Sequence, residues 1–195
     1  MLGPGPAAAP DQRRLKPKPD PAKSQNLVAI GDRLFRANNS KKARERYDQA
    51  RAADPTAARP HVRLAQLALV KGDYKEAAAR LRAATSVEPG WLVNAEDVQA
   101  LFAEPGDFAK ALTKLETHLQ ASPKDRDGWL VLGAETYLSG KTRQASDIFT
   151  RLSDRKPDPT LAAFLDAAAG DAPAPAAPPR SPSPAPASTP PPPKR

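Results

Sequence analysis

Apolar residues recur at helical spacing through the middle of the chain, in paired stripes separated by short turns. Leu27, Ile30, Gly31 and Leu34 share one helix face, Asn38-Asn39-Ser40 interrupts the pattern, and Ala43, Tyr47 and Ala50 line the next face. The alternation returns with Leu64, Ala65 and Ala68, the turn Lys71-Gly72-Asp73-Tyr74, then Ala77, Leu81 and Ala84. It returns again with Val98, Leu101 and Phe102, the turn Gly106-Asp107-Phe108, then Ala111, Leu115 and His118. A last pair has Leu132, Gly133 and Tyr137, the turn Ser139-Gly140-Lys141, then Ala145 and Phe149.

Four prolines mark the phase. Pro55, Pro89, Pro123 and Pro157 stand 34 residues apart each time, and a constant period of that length is the mark of a repeat array. Counting back from each gives units 24–57, 58–91, 92–125 and 126–159 without insertion. The clearest copy is WLVLGAETYLSGKTRQASDIFTRLSDRKP, with Trp129, Leu132, Gly133, Tyr137, Ala145, Phe149 and Pro157 in order. In these residues the chain resembles the tetratricopeptide repeat family, over positions 24–159. The resemblance implies an all-α solenoid, a right-handed superhelix of four helix-turn-helix units in which the first helices line a concave groove.

Small residues at Gly31 and Ala43 are expected to face each other across the first pair. The third unit departs from the pattern: Gln99 stands where Gly31, Ala65 and Gly133 stand in the others, and Pro105 enters the turn. Its first helix is expected to be short, capped by Asn94 and ending near Ala103. After Pro157, residues of about 158–169 predict a capping helix with Asp158 as its cap and Pro159 in its first turn. Leu161, Phe164 and Leu165 are expected to cover the apolar face of the last repeat.

Proline usage sets the domain limits. Of 24 prolines, six lie in residues 1–23 and eleven in residues 171–195, which predicts a disordered basic arm, a repeat domain over 24–170 and a disordered Ala/Pro-rich tail. No apolar run reaches 18 residues, so no membrane span is expected, and the amino terminus lacks the apolar core of a signal peptide. A cytoplasmic location follows as the expectation.

Composition narrows the chemistry. A chain 39% hydrophobic but only 5% aromatic builds its core by close approach of helices rather than by large side chains. The absence of cysteine removes disulfides, thiolate metal sites and cysteine nucleophiles. His61 reads as a packing residue near a helix start and His118 as a structural one, because acid/base work needs a positioned partner. Glu96 and Asp97 are adjacent and point to different sides of a helix. No phosphate-binding loop, metal spacing or nucleophile motif is present, so the expectation is a non-enzymatic protein without metal or cofactor.

The family's groove positions fall, in this sequence, on Phe35 and Arg36, on Gln66, Leu69 and Val70, on Glu96, Ala100 and Glu104, and on Tyr137 and Leu138. The resemblance therefore implies a protein or peptide partner: an amphipathic helix or hydrophobic peptide with some positive charge, contacting Phe35, Leu69 and above all Tyr137. Leu138, with Val28, Val62 and Leu130, equally suits packing between repeats. Gripping an acidic carboxyl terminus, another use of such repeats, is disfavoured by Val28, Asp32, Val93 and Asp97 at places that need cations or an amide. The formal charge of +8, with Lys41, Lys42, Arg44, Arg46, Arg80 and Arg82 on outward helices, raises RNA or DNA as the competing partner. No stacking aromatics are interleaved with these cations, which disfavours it.

Overall fold

The computed structural model describes residues 18–153 and 157–170, and every regular element among them is helical. The helices are α1 (Pro21–Arg36), α2 (Ser40–Ala53), α3 (Arg59–Lys71), α4 (Tyr74–Val87), α5 (Pro105–Ala121), α6 (Arg126–Leu138), α7 (Thr142–Ser153) and α8 (Pro159–Gly170). The expected all-α repeat architecture is present. Most of the arm and all of the tail lie outside the described residues.

Turn chemistry sets the helix ends. Asn39, Asp73 and Asp125 each accept a backbone N–H at the start of the helix that follows, and Gly72 closes α3 at φ 84°, a left-handed conformation that costs glycine little. Asp20 does the same for α1, accepting from Lys23 N, with Pro21 at the first helical position. Helix α1 thus begins inside the stretch expected to be an arm. At the other end the expected arrangement holds: Thr160 N donates to Asp158 Oδ1 at 2.9 Å and α8 runs from Pro159.

Three units form two-helix hairpins, α1–α2, α3–α4 and α6–α7. Gly31 lies against the Tyr47 ring, and Gly133 lies against Phe149 in the same register. A Cβ on Gly133 would stand 2.5 Å from Phe149 Cε1. That ring cannot yield, because it is fully buried and stacked on Phe164 at 4.9 Å. Gly133→Leu is expected to lose about 1 to 3 kcal/mol by overpacking, more than the ~1 kcal/mol that leaving glycine returns to a helix. A urea midpoint equal to that of the wild type would contradict this packing.

The third unit has no first α-helix. Residues 91–94 and 98–101 are single 3₁₀ turns joined by extended backbone at Ala95 (φ −65°, ψ 131°), and Phe102 is again extended (φ −81°, ψ 144°). Asp97, rather than Asn94, provides the cap, accepting from Gln99 N. The physical reasons are local. Pro105 forces its predecessor out of the helical region, and Glu104 sits at φ −113°, ψ 133°. A helix through Gln99 would also bring a long side chain to a crossing that needs glycine or alanine. Pro105 opens α5 instead of sitting in a turn, so Gly106-Asp107-Phe108 fall within its first turn.

Loss of that helix changes the stacking. Helix α6 packs directly on α4 and α8 packs on both α7 and α4, so the fourth unit follows the second in space. Helix α5 is set aside against α6 and α3, and its His118 meets Tyr74 of α4 at 4.8 Å between ring centroids. Phe164 closes the array, with Phe149, Tyr137 and Trp91 around it.

Candidate interaction surface

Residues 91–104 form a strap that runs from α8 across α3 to α1. At its start Trp91 meets Phe164 edge-on at 6.0 Å and its indole N–H reaches Thr85 Oγ1 at 3.4 Å. In the middle the Glu96 carboxylate accepts from Arg59 and Arg63 of α3, at 2.8 and 2.7 Å. At its end Phe102 packs edge-on against Phe35 of α1 at 5.3 Å. Trp91, Leu92, Val98, Leu101 and Phe102 are all buried.

Beneath the strap lies a charged chain of contacts. Tyr47 donates its hydroxyl to Asp32 at 2.8 Å, and Arg63 Nε donates to the same carboxylate oxygen at 3.0 Å. Burial, and then the Asp32 charge, push the Tyr47 hydroxyl pKa upward, so it remains a donor. Arg63 is thereby fixed with one edge on Asp32 and the other on Glu96.

A second polar contact joins α3 to α6. Gln66 Nε2 donates to both Glu135 oxygens, at 2.8 and 3.1 Å, and both side chains are wholly buried. Burial pushes the Glu135 carboxyl up to about 8, with the Gln66 bond opposing. Gln66 Oε1 has no partner. A protonated Glu135 has a hydroxyl that can donate to that oxygen once the amide is turned over. The pair then carries no buried charge.

The expected groove residues separate into three groups. Phe35, Gln66 and Leu69 are buried and so are corrected from contact residues to core: Phe35 lies under Phe102, Gln66 under Glu135, and Leu69 is wholly enclosed. Glu96 is engaged by the chain's own arginines, and its charge is therefore not free for a cationic partner. Arg36, Val70, Ala100 and Glu104 remain exposed. Phe35 and Val70, with Phe102 and Lys110, line a smaller depression that does not reach Tyr137 or Leu138.

Tyr137 and Leu138 line a cleft of about 1110 Å³ between the first turn of the strap, the end of α6 and α8. Leu92, Val93, Ala162, Ala163 and Ala167 give it small or apolar walls. Val93 is 82% exposed, and Asp97 and Asp166 also line the cleft. Position alone does not single out Val93, because its exposure depends on the missing helix.

Other candidate chemistry is structural. His118 Nε2 lies 2.7 Å from Asp125 Oδ2, a partner seven residues away that helical spacing does not show. Asp125 is also the α6 cap, accepting from Gly128 N, so the pair ties the end of α5 to the start of α6. His61 is buried, and burial followed by the charges of Arg51 and Arg80 lowers its pKa. Among the described residues no cluster of metal ligands occurs, and no helix is long and apolar enough to cross a membrane. The basic outward strip is interrupted by acids: Arg44 and Arg80 share Glu76, at 3.2 and 2.8 Å. Arg82 turns to Asp127 and Asp158, at 2.8 and 3.0 Å, and leaves the strip altogether.

The tetratricopeptide repeat family profile matches residues 28–91, the stretch that includes most of α1 and all of α2 to α4. No curated protein sequence matches significantly. Among solved structures the chain is similar to Pseudomonas aeruginosa PilF, with 18% identity, 76% of this chain and 69% of that chain covered, and a TM-score of 0.36. It is also similar to a thermophilic tetratricopeptide repeat protein of Thermus thermophilus, with 18% identity, 74% and 80% covered, and a TM-score of 0.33. For the MamA RS-1 ArsTM double mutant the values are 16%, 76% and 93%, and 0.35. Superpositions this loose bear on neither the arrangement nor the function of this chain. The profile match and the in-phase helical hairpins together identify residues 28–91 as tetratricopeptide repeats.

Proposed function

We propose that this protein is a non-enzymatic interaction module that receives an amphipathic helix, cationic along one side, in the cleft between the strap, α6 and α8. Tetratricopeptide repeats serve in general as protein–protein interaction scaffolds. The observation that supports this particular reading is Val93, a large apolar side chain left 82% exposed at a cleft walled by Tyr137, Leu138 and alanines. Alanine walls permit close approach of a helix, and the acids Asp97 and Asp166 complement positive charge on it. Pairing of Arg44, Arg80 and Arg82 with acids leaves nucleic acid a weaker basic strip than the sequence implies.

Val93→Glu tests the reading without disturbing the core, because so exposed a side chain contributes little to packing. Affinity capture with the intact chain is expected to retain a protein partner that the Val93→Glu chain loses at least tenfold, about the scale of losing one central apolar contact. Equal capture by both chains would remove the cleft from consideration. Capture abolished by nuclease and by modest salt would instead favour nucleic acid.

A further inference from the structure

The backbone amides of the strap bond within it, Ala95 N to Leu92 O, Ala100 N to Asp97 O and Phe102 N to Gln99 O, and none of these bonds reaches α1 or α3. Side chains hold it to those helices: Glu96 on Arg59 and Arg63, and Phe102 on Phe35, six residues further along. The two sides of the ion pair differ in kind. The Arg63 side chain is 7% exposed and fixed from below by Asp32, whereas that of Glu96 is 51% exposed. The cation is therefore built into the floor, and the acid is the member that another chain can replace.

We propose that the α1–α3 floor is a binding site for a peptide carrying a carboxylate and, six residues on, an aromatic ring, and that residues 91–104 are its tethered internal occupant. The site works by exchange. A partner of this kind binds when the strap lifts, and the strap excludes peptides that lack either anchor. This deepens the reading of the chain as an interaction module and rests on it, but concerns the middle and end of the strap rather than its start at the Val93 cleft. A tether of this length holds its ligand at an effective concentration on the order of millimolar, so the intact chain binds a competing peptide weakly. Weakening the strap raises the open fraction and the apparent affinity together.

The test uses the full chain and a fluorescent synthetic peptide with the sequence of residues 91–104. Glu96→Gln/Phe102→Leu, which removes the charge and the ring while keeping an apolar side chain at 102, is expected to bind this peptide at least about tenfold more tightly than the wild type does. The same peptide with alanine at both anchors is expected to bind neither chain. The proposal is overturned if the variant, melting cooperatively, binds the peptide no better than the wild type, or binds the double-alanine peptide equally well. It is also overturned if binding appears only in a dimer that has exchanged straps. Should the double variant not fold, hydrogen exchange on the wild type decides. Millimolar peptide is expected to speed exchange of the Ala100 and Phe102 amides and leave α3 unchanged, and an unchanged strap refutes the proposal. Capture of a partner that depends on Val93 while this peptide fails would remove this site and leave the cleft reading intact.

Discussion

Phe164→Ala is expected to destabilise the protein by about 3 to 5 kcal/mol, the range for emptying a fully buried aromatic site. The ring is 0% exposed and lies where four parts of the chain meet: Phe149 of α7 stacked at 4.9 Å, Tyr137 of α6 edge-on at 5.5 Å, Trp91 of the strap edge-on at 6.0 Å, and α8 itself. Each aromatic pair adds roughly 0.5 to 1.5 kcal/mol beyond area burial, so three at once push the effect toward the upper end. Stability of an ordinary domain is only about 5 to 15 kcal/mol, so the loss is a large part of it. Urea unfolding followed through tryptophan fluorescence measures it, since Trp91 reports this site directly. A loss below about 1 kcal/mol would mean that α8 is not the lid of the array.

Much of this arrangement is legible in the sequence because it is set by local chemistry. The 34-residue phase, the Asn39 and Asp73 caps, the Gly72 stop and the Asp158-Pro159 start all act within a few residues of where they stand. The start of α1 uses the same Asp-Pro signal, at Asp20-Pro21, but there it sits among prolines that together read as an extended arm. The rule is the same at both ends. Its context in composition hides it at one of them.

The third unit fails for the opposite reason. Its Gly106-Asp107 pair matches the turns of the other units, yet Pro105 is a better first helical residue than a turn residue, and α5 starts early. With the preceding helix gone, Val98, Leu101 and Phe102 are still buried, as their apolar spacing implies, but in a strap rather than a helix. The groove residues depart from expectation for the same reason, since family positions assume a regular superhelix. Glu96 finds Arg59 and Arg63, 37 and 33 residues away, only because the strap crosses α3. Gln66 and Glu135 are 69 residues apart and meet only because α6 moves in beside α4, within reach of α3.

That last pair gives the protein a pH dependence with a definite sign. Glu135 has an ordinary value of 4.5 and is pushed up to about 8 in the fold. Between these values the native chain keeps a proton that the unfolded chain releases. Stability from this group is therefore complete below about 4.5, declines as pH rises, and is lost by about pH 8. The full window corresponds to about 5 kcal/mol at roughly 1.4 kcal/mol per pH unit. His61 works against it on the acid side. Its lowered value means that the unfolded chain takes up a proton first as pH falls through 6.5, so its contribution rises with pH up to there. From about pH 6.5 to 8 Glu135 acts without that opposition, and the wild type is expected to lose about 2 kcal/mol. Glu135→Gln keeps the shape, gives Gln66 both a donor and an acceptor, and is expected to flatten this limb and raise stability at about pH 8. Urea midpoints measured at about pH 6.5 and 8 for both chains decide the matter. Parallel declines in the two would show that Glu135 is already ionised in the fold, with water or a cation reaching what is otherwise a dry contact between α3 and α6.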